Sequence, residues 1–451
     1  MISRKAMHRL FEWKQASQGS TALLIEGARR VGKTTLVKEF GRQAYRSTLF
    51  IDFAKASREV KGYFQDMSED LDSLFLYLSA RYGVTLHNRE TLVVFDEVQR
   101  FPFARGMVKY LVEDGRFDYI ETGSLISIRE NVADIVIPSE EVPFELAPLD
   151  FEEFLQAMGE EPLCELLRAF YAKRTPVPDD IHRKALRLFR EYMLVGGMPA
   201  AVDAYVAERD LAAVDKKKRE IISLYRRDIT RFAKGYEHKV VQVFDQIPGQ
   251  LSKHEKKYAL NSLDEDARRR SYESAFFWLD DARIVNPCYD VTDPDIDLRM
   301  TRNDESVKCY MADTGLLVSH AFPAGLSKEA YRDVLLGKIG LNEGMLVENV
   351  VAQTLRAKGD ELLFHSRYDR EDARNRMEID FLTVRPFPDA AMKPRVSPIE
   401  VKSTARYGTV SLDKFKAKYG KRVGTQFVVH PKPLAVDGDR IYVPLYMAHL
   451  I

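Results

Sequence analysis

Short apolar runs alternate with longer stretches of helical spacing in the first third of the chain. Ala22-Leu23-Leu24-Ile25, Leu49-Phe50-Ile51-Asp52-Phe53, Leu92-Val93-Val94-Phe95 and Asp118-Tyr119-Ile120-Glu121-Thr122 have the length and character of buried strands. A fifth is expected within Glu141 to Leu146. Between them, Thr35-Leu36-Val37-Lys38-Glu39-Phe40 and the stretch carrying Leu71, Leu74, Leu76 and Leu78 repeat apolar residues at helical intervals. Strands alternating with helices predict a parallel sheet with helices on both faces, binding its ligand beyond the strands' C-terminal ends. Ahead of the first strand, Met1 to Lys14 predicts a basic amphipathic helix. Met7, Leu10, Phe11 and Trp13 form its apolar side, which is expected to pack against this domain.

The pattern changes near residue 150. The prolines of Pro143 to Pro148 end the sheet, and Asp150 can N-cap a helix carrying Phe154 and Leu155. Helices then dominate: one around Ala185 to Met193 stops at Gly196-Gly197-Met198-Pro199. The next carries Lys216, Lys217, Lys218, Arg219, Arg226, Arg227, Arg231 and Lys234 against an apolar face of Ile221, Ile222, Leu224 and Tyr225. Val240, Val243, Phe244 and Ile247 line one later helix and Tyr272, Phe276, Phe277 and Leu279 another, with a strand expected at Ala282-Arg283-Ile284-Val285. Helix–turn–helix followed by strands is winged-helix order, and Arg268, Arg269 and Arg270 open the expected recognition helix, where phosphate contacts would be useful.

From about residue 335 the order changes again. A helix with Glu343 and Glu348 is followed by strands at Glu361-Leu362-Leu363-Phe364-His365, Glu378-Ile379-Asp380-Phe381-Leu382 and Ile399-Glu400-Val401-Lys402-Ser403. A helix (Leu412 to Lys418) and a strand (Thr425 to Val429) complete it. The expected fold class is therefore α/β in three parts. Residues 1–150 form a P-loop NTPase parallel sheet, 151–335 a helical lid with a winged-helix-like region, and 336–451 a small α/β domain with a restriction-endonuclease-like core.

Composition narrows the function. The chain has 451 residues and equal numbers of basic and acidic residues (68 each), so no global field attracts nucleic acid or membrane and any such contact needs a local patch. Cys164, Cys288 and Cys309 stand far apart with no CxxC pair, against a zinc site or a disulfide framework. No apolar run reaches membrane-spanning length and the N-terminus lacks a signal-peptide core, so the expected compartment is the cytoplasm, with no membrane partner.

The chemistry concentrates at Gly27-Ala28-Arg29-Arg30-Val31-Gly32-Lys33-Thr34, which has GxxxxGK[ST] spacing between a strand and a helix. Two glycines let successive N–H groups point at the β- and γ-phosphates of ATP, at the positive end of the helix, with Thr35 beside them. Lys33 adds a cation for those phosphates, and the Thr34 hydroxyl can ligate Mg²⁺. Phe95-Asp96-Glu97 then reads as Walker B. Asp96 completes the Mg²⁺ shell and Glu97 polarises the attacking water, which favours hydrolysis over a kinase reaction. Ser124, after the fourth strand, is a candidate γ-phosphate sensor. Arg226 or Arg227, with Arg227 preferred, is a candidate arginine finger in cis or from a neighbouring subunit.

In the last third, Asp380, a gap of about twenty residues, and Glu400-x-Lys402 match the PD-(D/E)XK arrangement. Period two puts Glu400 and Lys402 on one side of their strand. Asp380 and Glu400 could hold Mg²⁺, Lys402 could orient water for phosphodiester attack, and Glu348 would add a helix-borne carboxylate.

Taken together, the chain resembles prokaryotic AAA-type ATPases that carry a C-terminal domain of unknown function with a restriction-endonuclease-like core. The matching stretches are Glu26 to Thr34, Phe95-Asp96-Glu97-Val98-Gln99, Thr122-Gly123-Ser124, Pro148-Leu149-Asp150-Phe151-Glu152-Glu153-Phe154, Gly196-Gly197-Met198-Pro199, Tyr310-Met311-Ala312-Asp313-Thr314-Gly315-Leu316-Leu317 and Ile399-Glu400-Val401-Lys402. The resemblance implies ATP binding by Gly32, Lys33 and Thr34, with Asp96 and Glu97 in the Walker B roles. Ile128-Arg129-Glu130-Asn131 departs from the family by lacking the Gly-Arg pair often found before the Pro-Leu-x-Phe tract. The expected function is Mg²⁺-dependent ATP hydrolysis controlling a nucleic-acid-directed C-terminal module. The alternative is an ATP-gated DNA- or protein-binding switch whose nuclease-like domain is inert. DNA, a protein partner and further copies of the chain stand open as partners.

Overall fold

The structure is a computed structural model that describes residues 2–124, 137–253, 256–258, 270–295, 297–322, 343–368, 375–385 and 395–451. Arg268 and Arg269, expected at a recognition helix, lie outside the described residues, as does the Ile128 to Asn131 segment. The chain divides into two compact units, Met1–Ala147 with Asp281–Arg283, and Pro148–Asp280 with Ile284–Ile451.

In the first unit, α1 (Ala6–Ser17), β1 (Ala22–Glu26), α2 (Lys33–Ala44) and β2 (Ser47–Asp52) are followed by α3 (Arg58–Asp66), α4 (Leu71–Tyr82) and β3 (Thr91–Asp96). Two short helices, α5 (Pro102–Gly106) and α6 (Val108–Asp114), lead to β4 (Asp118–Gly123) and β5 (Glu141–Glu145). The five strands run parallel in the order β2-β3-β4-β1-β5. Strands β3 and β4 are buried throughout, which is why they read as strands with no polar alternation. Against one part of the core, the rings of Phe53, Phe64, Phe95 and Phe101 meet at centroid distances of 5.2 to 6.0 Å. Such ring pairs each contribute about 0.5–1.5 kcal/mol beyond area burial.

The N-terminal helix packs on this domain as its pattern predicts. Leu10 and Trp13 are buried, Phe11 meets Phe40 edge-on at 5.2 Å, and Arg4 donates to the carbonyls of Val31 (3.1 Å) and Ala147 (2.7 Å). On the far edge, the buried Arg105 makes two 2.8 Å hydrogen bonds to Glu141, tying α5 to edge strand β5.

The second unit opens with α7 (Phe151–Ala157), where Asp150 and Glu153 form a reciprocal cap: Asp150 Oδ1 accepts from the Glu153 amide at 2.8 Å and Glu153 Oε2 from the Asp150 amide at 3.0 Å. Helices α8 (Glu161–Ala172), α9 (Asp179–Val195), α10 (Pro199–Glu208), α11 (Leu211–Phe232), α12 (Glu237–Leu251) and α13 (Arg270–Asp281) follow. Then come β6 (Val285–Val291), β7 (Arg302–Met311), α14 (Thr314–Ala321), α15 (Glu343–Ala357), β8 (Leu363–Arg367), β9 (Met377–Arg385), β10 (Arg395–Val401), α16 (Val410–Tyr419), β11 (Gln426–His430), β12 (Ala435–Asp437) and β13 (Arg440–Pro444).

The structure departs from the sequence reading in the strand after α13 and in the strand pair that follows, and it sets one lysine of the basic run apart. The strand expected at Ala282 to Val285 starts only at Val285, because Arg283 adopts a left-handed φ of +57° that turns the chain out of α13. The pair β6–β7 is not a free-standing wing. It continues the sheet β12-β13-β11-β10-β9-β8-β6-β7 through the parallel register Tyr289↔Leu363, so the boundary expected at 335/336 separates no two sheets. Lys218 is not part of the solvated basic face of α11. It is buried and donates to the Leu194 carbonyl at 2.5 Å, and burial pushes its pKa down to about 8.

Three of the motif stretches meet inside this unit. Asp313 Oδ2 accepts from the Gly197 amide at 2.5 Å and Oδ1 from the Leu316 amide at 2.8 Å. The Leu149 amide donates to the Gly197 carbonyl at 2.8 Å, and the Tyr192 hydroxyl to the Leu149 carbonyl at 2.7 Å. Gln353 on α15 donates to that Tyr192 hydroxyl at 3.0 Å and accepts from the Thr314 amide at 2.9 Å. All are buried, and a connected, satisfied polar network of this kind fixes one packing of the elements around it.

Candidate functional site

Strand β1 ends at Glu26 and α2 begins at Lys33, so Gly27 to Gly32 make the turn between them. Gly27 is confined by its neighbour rather than by solvent: a Cβ there would lie 2.6 Å from the Leu146 carbonyl oxygen. Lys33 is buried and its Nζ donates to the carbonyls of Gly27 (2.7 Å) and Ala28 (3.1 Å). Burial pushes its pKa down to about 8, opposed by the nearby Glu97 and Asp96 carboxylates. Ala28 and Val31 are buried, Arg29 is half-buried, and Arg30 and Thr35 are exposed.

Asp96 ends β3. Since β4 lies between β1 and β3, side chains from both motifs and from β4 converge on it. Thr34 Oγ1 donates to the Asp96 carboxylate at 3.0 and 3.2 Å, and Thr122 Oγ1 on β4 donates to Asp96 Oδ1. Burial raises the pKa of Asp96, and the two threonine hydroxyls work against that rise. Thr34 and Asp96 thus present hard oxygen donors to one point, and the residues present fit Mg²⁺.

Glu97 follows in the left-handed region (φ +55°), a conformation that costs a non-glycine residue on the order of 1 kcal/mol or more. Gln99 Nε2 donates to Glu97 Oε2 at 2.8 Å. Ser124 is buried, and its Oγ has no hydrogen-bond partner among the described residues. Arg227 sits exposed on α11 of the second unit, its Nε donating to the Ser223 carbonyl at 3.4 Å, and Arg226 pairs with Asp245 at 2.7 Å. Sequence reasoning missed Thr122 and Gln99. The first stood two residues before the Ser124 it chose, on a strand whose full burial erases any facing signal.

In the second unit the four candidate nuclease residues make two sets of charge contacts, joined where Asp380 accepts from the Val401 amide of β10. Glu400 and Lys402 form their own ion pair at 2.5 Å. Glu348 and Asp380 instead flank Lys308 of β7, whose Nζ lies 3.7 Å from Glu348, 4.0 Å from Asp380 and 2.7 Å from Glu378. Glu348 is buried and accepts from Lys256 Nζ and from the Tyr310 hydroxyl. Asp380 Oδ2 accepts from the Val401 amide at 2.8 Å, and burial together with the Glu348 charge raises its pKa to about 7. Among the described residues, no group of three His, Cys, Asp or Glu side chains is placed to hold a metal ion.

With this geometry established, residues 19–155 match the family model of the AAA domain, residues 186–329 that of a domain of unknown function (DUF8612), and residues 343–448 that of another (DUF4143). No curated protein matches the chain significantly. Among solved structures, the chain is similar to the Orc1 protein of Aeropyrum pernix in complex with DNA, at 12% identity over 75% of this chain and 93% of that one, with a TM-score of 0.27. It is also similar to AMPPCP-bound DnaA from Aquifex aeolicus (12%, 63% and 95%, TM-score 0.29) and to Cdc6p from Pyrobaculum aerophilum (11%, 75% and 96%, TM-score 0.26). Overlays this weak carry no argument about ligand or assembly. The family match and the parallel sheet with its P-loop define the class: the first unit is an ATP-binding AAA-type ATPase domain. Among the described residues no helix is long and apolar enough to cross a membrane.

Proposed function

We propose that the chain is a Mg²⁺-dependent ATPase whose nucleotide state controls its C-terminal module, and that this module is directed at nucleic acid. The observation that carries the reading is the convergence of the Thr34 and Thr122 hydroxyls on Asp96, with Glu97 the next residue. The N–H groups of Gly27 to Thr34 hold the β- and γ-phosphates at the start of α2, and Lys33 exchanges its carbonyl partners for phosphate oxygens. Mg²⁺, when bound at Thr34 and Asp96, neutralises phosphate charge. Glu97 orients the attacking water and accepts its proton. Ser124 reports the γ-phosphate, and Arg227 supplies transition-state charge, in cis or from a neighbouring copy.

Support for a nucleic-acid partner comes from α11, where Lys216, Lys217, Arg227 and Arg231 are exposed, with Lys234 exposed just past its end. A stripe of this kind suits phosphate backbones. The test is steady-state phosphate release by wild type and Glu97→Gln, with and without single- and double-stranded DNA. Glu97→Gln is expected to lose about a hundredfold or more in kcat while still binding ATP, and DNA to change the wild-type rate. Wild-type turnover by Glu97→Gln would overturn the catalytic assignment. A rate indifferent to both polymers would overturn the partner class.

A further inference from the structure

The acidic centre of the second unit joins three carboxylates that arrive from different elements. Glu348 projects from α15, and Glu378 and Asp380 lie two apart on β9, hence on one face. Glu348 is buried, Asp380 keeps 19% of its side chain exposed, and Glu378 at the rim keeps 38%. Carboxylates gathered out of water repel one another and take up protons unless a cation sits among them. In a metal-dependent phosphodiesterase that cation is a divalent ion, held at about 2.0–2.1 Å by oxygen ligands.

Here the chain supplies the cation itself. Lys308, with 0% of its side chain exposed, places its ammonium against all three carboxylates, 2.7 Å from Glu378, 3.7 Å from Glu348 and 4.0 Å from Asp380. It also lies 4.7 Å from the centroid of the Phe364 ring, whose face favours a cation. Burial works against its charge, but the carboxylates outweigh that and raise its pKa above that of free lysine. Lys256 and Tyr310 occupy further acceptor positions on Glu348. Glu400 pairs with Lys402 at 2.5 Å through one oxygen, and its other oxygen is buried without a hydrogen-bond partner among the described residues.

We propose that Lys308 is a built-in counter-cation for Glu348 and Asp380, two of the carboxylates that the nuclease pattern assigns to a metal, so that the C-terminal module engages its partner without metal-dependent phosphodiester cleavage. Lys308 comes from the strand pair that reads, in sequence, as a wing. This joins β7 to the acidic strand β9 through one charge centre and gives the eight-stranded sheet a reason to include it. The inference concerns the second unit alone and stands or falls independently of ATP hydrolysis.

The test uses the full chain without nucleotide, in an Asp96→Asn background that silences the P-loop, with Mn²⁺ as the probe and electron paramagnetic resonance of the free ion as the readout. The Lys308-containing chain is expected to show no Mn²⁺ site sensitive to Glu348→Gln. Lys308→Met is expected to bind Mn²⁺ at least about tenfold more tightly and to lose that gain when Glu348→Gln is added. In the Mn²⁺ titration, two results overturn the proposal: a saturable site in the Lys308-containing chain that Glu348→Gln or Asp380→Asn abolishes, or a folded Lys308→Met that gains nothing. Melting keeps the test open if Lys308→Met folds poorly. Lys308→Met/Glu348→Gln, with the charges rebalanced, is expected to melt above Lys308→Met alone, and strictly additive losses overturn it. Supercoiled plasmid incubated with the wild-type chain and Mg²⁺ is expected to stay intact; nicking that Asp380→Asn abolishes overturns the proposal.

Discussion

Gln99 donates a 2.8 Å hydrogen bond from Nε2 to Oε2 of Glu97, across the short turn that follows β3. Its other amide atom, Oε1, is buried without a hydrogen-bond partner among the described residues. The amide is therefore oriented by Glu97 and orients it in return, while the left-handed backbone of Glu97 fixes where the carboxylate leaves the chain. Replacing Gln99 with Leu keeps the bulk and removes the donor. We expect kcat for phosphate release to fall about ten- to a hundredfold, the range typical of a misoriented catalytic group. Affinity for a fluorescent ATP analogue should stay within about twofold, since the Gln99 hydrogen bond goes to Glu97 rather than to the P-loop. An equal loss in binding and turnover would assign Gln99 to the fold of the turn instead.

Thr122 tests the other side of the same centre. Its hydroxyl and that of Thr34 are the groups that hold Asp96 ionised against burial. Thr122→Val removes one donor with almost no change of volume, so the Asp96 pKa rises further. A hydrogen bond to a charged group is worth about 1.5–3 kcal/mol. On the proposed mechanism the ionised form serves hydrolysis, so the acid limb of the pH–rate profile should move to higher pH. An unmoved acid limb would mean that Asp96 is not the group being titrated.

The meeting of Thr34 with Asp96 was legible because each side of it is a local motif. Gly27 to Thr34 are consecutive, and Asp96 and Glu97 close a strand whose apolar run announces itself. The Asp150 cap was legible for the same reason. What failed to show was chemistry assembled across long separations. Lys308 stands 40 residues before Glu348 and 72 before Asp380 in the numbering, on a strand whose neighbours Asp304, Glu305 and Ser306 suggest a solvated edge. In the structure the second half of that strand, Val307 to Met311, is buried on both faces, so alternation no longer reports which side is wet. Lys218 was readable in principle: it falls four residues after Val214 and three before Ile221, on the apolar stripe of α11, yet the run of lysines around it masked that position.

On the proposed function, Lys33 couples nucleotide binding to pH. Its pKa is pushed from 10.5 down to about 8, chiefly by burial, so the folded chain sheds this proton at lower pH than the unfolded chain does. The lysine therefore opposes folding below pH 8, and that opposition fades as the pH climbs from about 8 to 10.5. Phosphate binding requires the charged form. Above pH 8 each bound ATP must draw in a proton, and affinity should fall up to about tenfold per pH unit. Calorimetry at pH 9 in buffers of different ionisation enthalpy should register close to one proton taken up by wild type, and none by Lys33→Met over any residual binding. Pairing of Lys33 with Glu97 and Asp96 strong enough to cancel burial would instead leave binding flat across this range.

Gly315 shows how tightly the junction of the motif stretches is drawn. A Cβ at this position would lie 2.6 Å from the Gly196 Cα and would also strike the Val195 carbonyl. Neither obstacle is the movable end of a side chain. Both belong to the turn ending α9, which Asp313 holds through the Gly197 amide at 2.5 Å. Gly315→Ala must part α14 from that turn, stretching the Asp313 bonds and loosening Leu149, which donates to Gly197 at 2.8 Å. Overpacking of this kind costs about 1–3 kcal/mol, which for a unit of this size lowers Tm by roughly 2–5 °C. Leu149 lies only four residues beyond β5, the strand that pairs in parallel with the P-loop strand β1. If the C-terminal module answers to nucleotide through this short stretch of chain, Gly315→Ala should retain ATP binding and basal phosphate release at 15 °C below its own Tm while losing any response of that rate to DNA. A variant that melts lower yet keeps the full DNA response would show that the junction serves stability alone.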